Sequence, residues 1–168
     1  MRTKRKKDGD GHIRSAIGLE IHVRDVMTTN ILSTQKFESV LSVANILADN
    51  NISGLPVVDK TNKVIGIITQ ADILSIVGVR KGHTFKDLLK HMLGEPLAGT
   101  RMGDMVGDIM SSPAAVIRDD ATIAEAAQIM DERKIRRLVV VDEKNKLTGL
   151  ITRADILKAV IGKIRSKE

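Results

Sequence analysis

The sequence contains no cysteine, tryptophan or tyrosine, and only Phe37 and Phe85 among its 168 residues are aromatic. Without cysteine there can be no disulfide framework, thiolate metal site or cysteine nucleophile. With so few aromatic rings, stacking platforms for single-stranded bases are nearly excluded. The longest apolar runs are too short to span a membrane, and the opening MRTKRKKDGDGHIR leads into no apolar signal-peptide segment. These absences predict a soluble, cytoplasmic protein without a membrane partner.

Positive charge is concentrated at the start of the chain. The net charge is +6, and residues 1–24 hold seven basic and three acidic residues, a balance of +4. The remaining 20 basic and 18 acidic residues leave only +2 for the rest of the chain. A tail such as RTKRKK is too polar to pack, which predicts a flexible end. It is either simply solvated or contacts nucleic-acid phosphates through Met1–Lys7.

Most of the chain is a duplication. GIITQADIL at Gly66–Leu74 returns as GLITRADIL at Gly149–Leu157, and residues 23–79 align with 106–162 without a gap, with 20 identities in 57 positions. Each copy of such a repeat has a hydrophobic face that the other can cover. The duplication therefore predicts two units packed as a pseudo-two-fold pair around one shared core.

Each copy has the pattern of a β-α-β-β-α unit, which makes the predicted fold class α+β. ILS and AAVI predict short first strands, LPVVD and LVVVD predict buried strands, and VIGIIT and LTGLIT complete hairpins. The first helix of each copy has one apolar face, formed by Val40, Val43, Ala44 and Leu47 or by Ile123, Ala126, Ala127, Ile129 and Met130. A last helix is predicted directly after Thr69 and Thr152.

The predicted organisation follows from these patterns. It comprises a basic tail and lead-in (1–22), a first repeat (23–79), a helix with a Gly/Pro-rich linker (80–105), a second repeat (106–162) and a C-terminal tail (163–168).

The repeated Thr and Asp have two interpretations. Thr69 with Asp72, and Thr152 with Asp155, have the spacing of a capping box at a helix start. A carboxylate there can also accept hydrogen bonds from vicinal hydroxyls such as those of ribose, and a helix start attracts phosphate. Glycine weakens a strand unless something approaches the backbone closely, so the preceding Gly in both copies favours a binding cleft.

Three motifs agree in order and spacing in both copies: D-V-M and D-I-M, then L-P-V-V-D and L-V-V-V-D, then G-h-h-T-x-x-D with h apolar. Together they resemble cystathionine beta-synthase (CBS) domains arranged as one pair, a Bateman module. KIRRLVVVDEKNKLTGLITRADIL is similar to the last CBS repeat of the gamma subunit of AMP-activated protein kinase. The resemblance implies a regulatory sensor, not an enzyme. It would need no cofactor and would bind AMP, ADP, ATP or S-adenosylmethionine in the clefts between repeats.

The resemblance also implies roles for individual residues. Asp72 and Asp155 would hold ribose hydroxyls, and Thr69 and Thr152 would face ribose or phosphate. The two implied sites are Asp155 with Leu32, Ile52 and Ser53, and Asp72 with Ala115, Ile135 and Arg136. Arg136 and Arg137 would contact phosphate, unless they are only a solvated strand entry. Their counterparts Ser53 and Gly54 are uncharged, and Val139 replaces Pro56, so the two sites should differ.

Other candidates are weaker. His12, His22, His83 and His91 show no metal-ligand clustering, and no catalytic residues converge. The expected partners are an adenosine ligand, a second copy of the chain and an unidentified effector protein. The dimer is expected through the helix faces at Val40–Leu47 and Ile123–Met130. The alternatives are a nucleic-acid-associated protein that uses its basic tail and a structural dimerisation module with empty clefts.

Overall fold

The computed structural model describes residues 21–76 and 105–166. The predicted basic tail, the inter-repeat helix with its linker, and His12, His83 and His91 lie outside these residues, as do the last two positions. Within the described ranges, no helix is long and apolar enough to cross a membrane.

The described elements alternate between helices and short strands, which gives the mixed α+β content that the sequence predicts. A 3₁₀ helix covers Val23–Asp25. The α-helices are α1 (Val40–Asp49), α2 (Gln70–Ile76), α3 (Val106–Ile109), α4 (Ile123–Glu132) and α5 (Arg153–Arg165). The strands are β1 (Gly54–Val58), β2 (Val64–Thr69), β3 (Val116–Arg118), β4 (Arg137–Val141) and β5 (Leu147–Thr152).

The two compact units of the chain are not the two repeats. One unit, here the repeat-1 unit, contains residues 32–76, 105–115 and 144–147 of the described chain. The other, the repeat-2 unit, contains 21–31, 116–143 and 148–166. The segments before the first strands, which we call the first lead-in (21–31) and the second lead-in (105–115), are therefore exchanged. Each completes the unit that contains the hairpin of the other repeat.

In the repeat-1 unit, α1 lies on a two-stranded sheet. Strands β1 and β2 are antiparallel, with Gly54 opposite Thr69. Ser39 caps α1 by accepting a hydrogen bond from the Ser42 backbone N–H. Val43 and Leu47 on α1 share a buried cluster with Leu55, Val57, Ile68 and Val106, the last from the second lead-in. The strand predicted at ILS is not formed in the described structure; the residue directly after it, Thr34, makes a single bridge to Val57.

The repeat-2 unit has the same order of elements, and its first strand, β3, is three residues long instead of a single bridge. Its sheet has the order β3-β4-β5, and β3 pairs in parallel with β4 so that Val116 faces Val139. Thr122 and Glu125 form a reciprocal capping box at α4. The first lead-in joins this unit because the Val23 N–H donates to the Ala121 carbonyl at 2.8 Å.

The apolar faces of α1 and α4 are cores of their own units. Val40, Val43 and Leu47 are buried in the repeat-1 unit, and Ile123, Ala126 and Met130 are buried in the repeat-2 unit. These buried residues are not available to a second copy, whereas Ala127 on the α4 face is exposed. A dimer through the remaining surface of these helices stays a prediction.

A prediction follows from one buried hydroxyl on β5. The Oγ1 atom of Thr148 is buried and has no hydrogen-bond partner in the described structure, and the matching residue of the first repeat is Ile65. Because valine keeps the shape and removes the unsatisfied group, Thr148→Val should raise the free energy of unfolding by about 1 kcal/mol. The same change at Thr152, whose hydroxyl caps α5, should lower it by about 1 kcal/mol. Urea denaturation would measure both; destabilisation by Thr148→Val would contradict the prediction.

Candidate ligand-binding site

The repeated Thr and Asp form a capping box in the repeat-1 unit. The Asp72 Oδ2 atom accepts hydrogen bonds from the Thr69 backbone N–H at 2.8 Å and from the Thr69 hydroxyl at 2.7 Å. In return, the Asp72 backbone N–H donates to the Thr69 hydroxyl at 3.3 Å. The box fixes the carboxylate at the point where β2 ends and α2 begins.

The repeat-2 unit contains the same box with nearly the same distances. The Asp155 Oδ2 atom accepts from the Thr152 backbone N–H at 2.8 Å and from its hydroxyl at 2.7 Å. The Asp155 N–H donates to the Thr152 hydroxyl at 3.3 Å. Both carboxylates are half-buried. In each unit a single oxygen, Oδ2, accepts both capping hydrogen bonds, so capping does not use Oδ1.

The two Oδ1 atoms differ in what they contact. The Ser111 hydroxyl from the second lead-in donates to Asp72 Oδ1 at 3.2 Å. The position that matches Ser111 in the first lead-in is Thr28, and its hydroxyl makes no hydrogen bond to any described residue. Asp155 Oδ1 likewise has no hydrogen-bond partner in the described structure.

The strand glycines are explained by the lead-ins. The Ile67 N–H and carbonyl of β2 exchange hydrogen bonds with Ser111 at 3.0 and 2.9 Å, and Leu150 of β5 does so with Thr28. A Cβ added to Gly66 would lie 2.9 Å from the Ser111 carbonyl oxygen, and one added to Gly149 would lie 2.7 Å from that of Thr28. Something does approach these glycines closely, and in both units it is the backbone of a lead-in.

This contact predicts opposite effects of alanine at two glycines of the repeat-2 unit. Gly149→Ala should lower the free energy of unfolding by about 1–3 kcal/mol, because backbone must move to admit the methyl group. Gly162 in α5 is the matched control, since nothing lies within 4 Å of its added Cβ. There alanine should raise stability by about 0.5–1 kcal/mol. Thermal or urea unfolding measures both changes, and equal effects would argue against the close approach.

The residues before β1 lie beside the capping box of their own repeat. The Gln70 N–H donates to the Ser53 carbonyl at 3.0 Å, and the Gln70 side chain donates to the Ile52 carbonyl at 3.2 Å. Ile52 and Ser53 are therefore held against the start of α2. Leu32 is about half exposed, and Ala115 lies in the same unit at the end of the second lead-in.

In the repeat-2 unit an arginine replaces Gln70 and binds more of the backbone. The Arg153 guanidinium donates to the Ile135 carbonyl at 3.1 Å and to the Met130 carbonyl at 3.0 Å. The Arg153 backbone N–H donates to the Arg136 carbonyl. Arg153 thus fixes the loop between α4 and β4, which carries Arg136 and leads directly into Arg137, the first residue of β4.

Arg137 is a half-buried cation at the start of β4. Burial, and then the neighbouring charge of Arg136, lower the pKa of Arg137, although an arginine stays charged at neutral pH. Among the described residues no side chain forms an ion pair or hydrogen bond with its guanidinium. A half-buried positive charge of this kind favours an anionic ligand.

The loop before β4 and the start of α5 are more basic than the two arginines alone would make them. Around the loop before β4 and the start of α5, five positions of the second repeat are basic where the first repeat has uncharged residues. They are Arg133, Lys134, Arg136, Arg137 and Arg153, against Asn50, Asn51, Ser53, Gly54 and Gln70. No group of three or more metal-ligating side chains occurs within residues 21–76 and 105–166.

Comparison with known proteins identifies the repeated unit. The CBS domain family matches residues 23–79 and 106–162. The chain belongs to the CBS domain family. Its two CBS repeats form one pair, as the three repeated motifs predict.

The relatives of this CBS pair include proteins of archaea and plants. The chain is 35% identical over 149 residues to the uncharacterized protein MJ1404 of Methanocaldococcus jannaschii. The aligned region covers 88% of this chain but 34% of that protein. It is 29% identical over 156 residues to the chloroplastic CBS domain-containing protein CBSX2 of Arabidopsis thaliana, covering 83% of this chain and 63% of CBSX2. The chain thus spans about a third of the first relative and less than two thirds of the second.

Two solved structures with bound ligands share the fold. CBSX2 in complex with AMP has a TM-score of 0.68 at 29% identity, covering 88% of this chain and 99% of the other. The CBS pair of MJ0100, in complex with 5′-methylthioadenosine and S-adenosyl-L-methionine, has a TM-score of 0.64 at 25% identity, covering 84% and 97%.

The structure groups the predicted residues of this CBS pair by unit. Thr69 and Asp72 lie with Leu32, Ile52, Ser53 and Ala115 in the repeat-1 unit, and Thr152 and Asp155 lie with Ile135, Arg136 and Arg137 in the repeat-2 unit. The combinations of Asp155 with Leu32, Ile52 and Ser53, and of Asp72 with Ile135 and Arg136, stay predictions. Sequence reasoning did not find Ser111 or Arg153. A position-by-position comparison of the repeats could have identified both residues, because Ser111 matches Thr28 and Arg153 matches Gln70.

Proposed function

We propose that this CBS pair is a regulatory module that binds an adenosine-containing ligand through its two Thr-Asp boxes and catalyses no reaction. The observation that carries the proposal is that only one oxygen of each carboxylate is used in capping. Oδ2 of Asp72 and of Asp155 caps a helix, while Oδ1 stays on the side away from the capping bonds. A fixed carboxylate oxygen of this kind suits the vicinal hydroxyls of a ribose.

The repeat-2 unit adds a feature that suits phosphate. Arg137 has no charged partner among the described residues, and Arg136 is its exposed neighbour. Arginine recognises phosphate through paired N–H donors, so an AMP, ADP or ATP phosphate would satisfy both the charge and the donors. The absence of this pair in the first repeat supports unequal binding by the two boxes.

The related structures support the same ligand class. AMP in CBSX2, and 5′-methylthioadenosine with S-adenosyl-L-methionine in MJ0100, share an adenosine moiety. The choice between a nucleotide and S-adenosylmethionine then rests on charge. Because a phosphate is anionic and a sulfonium is cationic, Arg136 and Arg137 favour the nucleotide.

Calorimetric titration with adenosine, AMP and ATP tests the assignment. Asp72→Ala and Asp155→Ala should each weaken adenosine and AMP alike, at one box only, because the ribose contact does not depend on phosphate. The double variant Arg136→Ala/Arg137→Ala should bind ATP about 30- to 1000-fold more weakly, since two charge-assisted contacts are lost together. Adenosine binding by the double variant should change little.

Folding of every variant is checked by its melting temperature without ligand. If both Asp variants are folded and keep full affinity for adenosine, the boxes serve only as helix caps. If the double variant binds ATP as the wild type does, the phosphate assignment is wrong.

We also propose that the module forms a homodimer and that an effector protein or an attached domain reads its ligand state in the cytoplasm. Apolar side chains that their own unit leaves exposed support the dimer. Leu157, Ile161 and Ile164 are 59%, 40% and 49% exposed and lie at i, i+4 and i+7 on α5. In the repeat-1 unit, Leu41 on α1 and Leu74 on α2 are also exposed. A continuous apolar stripe on a helix surface is typical of an interface.

Charge placed on the stripe should therefore prevent association. The wild type should show about twice the 18.3 kDa chain mass by light scattering at micromolar concentration. Leu157→Asp/Ile161→Asp should show a single chain mass. Lys163→Glu, about 120° around the helix from Leu157, changes the charge of the same helix away from the stripe and should leave the mass unchanged. A wild-type mass near 18.3 kDa across this range would reject the dimer.

A further inference from the structure

Ser111 and Thr28 are a matched pair with one difference. Both occupy the same place in a lead-in, and both exchange two backbone hydrogen bonds with the strand that ends at the Thr-Asp box. Their side chains are exposed. The Ser111 hydroxyl donates to Asp72 Oδ1 at 3.2 Å, whereas the Thr28 hydroxyl contacts no described hydrogen-bond partner.

The Ser111 bond involves the oxygen that the proposed function assigns to ribose. Oδ2 of Asp72 already accepts two hydrogen bonds from Thr69, which leaves Oδ1 as the oxygen for a ligand. Oδ1 can accept two hydrogen bonds, and the Ser111 hydroxyl already supplies one. The two vicinal hydroxyls of a ribose therefore cannot both bind Oδ1 of Asp72 without displacing Ser111. At Asp155, where the box has the same distances, no described residue competes.

We propose that Ser111 is a specificity-determining residue that lowers the affinity of the Asp72 box for ribose hydroxyls, so that Asp155 is the box that fills first. This inference rests on the proposed function. Ser111 acts through competition at one oxygen, and its effect disappears for ligands that offer no hydroxyl to that oxygen. The two boxes of one duplicated motif thus differ by a single side-chain hydrogen bond.

The alternative role for Ser111 is to orient Asp72 for binding, which predicts the opposite sign. The Thr69 box holds the carboxylate through Oδ2 at 2.7 and 2.8 Å, shorter than the 3.2 Å bond from Ser111. The orientation of Asp72 is therefore fixed without Ser111. The backbone bridge of Ser111 to Ile67 also survives replacement of its side chain, since it uses only the main-chain N–H and carbonyl.

The test isolates the Asp72 box by working in Asp155→Ala protein. There, Ser111→Ala should bind adenosine about three- to tenfold more tightly, which is the net effect of one hydrogen bond. Affinity for 2′,3′-dideoxyadenosine, which lacks both ribose hydroxyls, should stay the same. The matched control is Thr28→Ala in Asp72→Ala protein, where adenosine affinity should not change because the Thr28 hydroxyl has no partner in the described structure. Isothermal calorimetry measures each affinity in the variant and in its parent protein.

The outcomes separate this inference from the proposed function. Weaker or unchanged adenosine binding by Ser111→Ala, while the wild type binds adenosine, overturns the inference alone and assigns Ser111 a positioning or neutral role. Equal tightening of adenosine and dideoxyadenosine also overturns it, since a general loosening of the lead-in would then be the cause. Absence of adenosine binding by the wild type overturns both proposals.

Discussion

The contact on which most of the site depends is the backbone bridge between a lead-in and the strand that carries the glycine. Two hydrogen bonds hold Ser111 against Ile67, and two hold Thr28 against Leu150. Such an approach leaves no room for a Cβ at Gly66 or Gly149. Because each bridge lies just before a Thr-Asp box, it also decides which lead-in side chain stands near the carboxylate. The glycine, the bridge and the box therefore form one structural motif, which occurs in both units.

The exchange of lead-ins makes each unit depend on both repeats. Val106 of the second lead-in belongs to the buried cluster of the repeat-1 unit, and Val23 of the first lead-in is buried in the repeat-2 unit. Neither repeat can complete a core from its own continuous segment. Duplication therefore does not create two autonomous domains here, because each copy supplies the other with a buried valine and a strand-edge contact.

Local rules predicted the parts that neighbouring residues decide. Helices α1 and α4, the hairpins and both Thr-Asp boxes follow from apolar periodicity, β-branched runs and the spacing of Thr and Asp. Contacts between distant segments could not be derived in this way: Ser111 is 39 residues from Asp72. Periodicity also identified the apolar faces of α1 and α4 but could not say what covers them. An amphipathic pattern shows that a face is buried without naming its partner.

Capping and ligand binding are not competing explanations for the repeated motif. A carboxylate has two oxygens, and the box uses only Oδ2. The helix cap therefore requires the Asp, while the contacts of Oδ1 differ between the two copies. At Asp72 a serine hydroxyl already donates to that oxygen, and the positions of the first repeat that match Arg133, Lys134, Arg136, Arg137 and Arg153 are uncharged. At Asp155 no described residue donates to it, and these five basic residues lie in the loop before β4 and at the start of β4 and α5. The caps and the close backbone contacts are thus the same in both copies, and the difference between the candidate sites lies in side chains outside the Thr-Asp boxes.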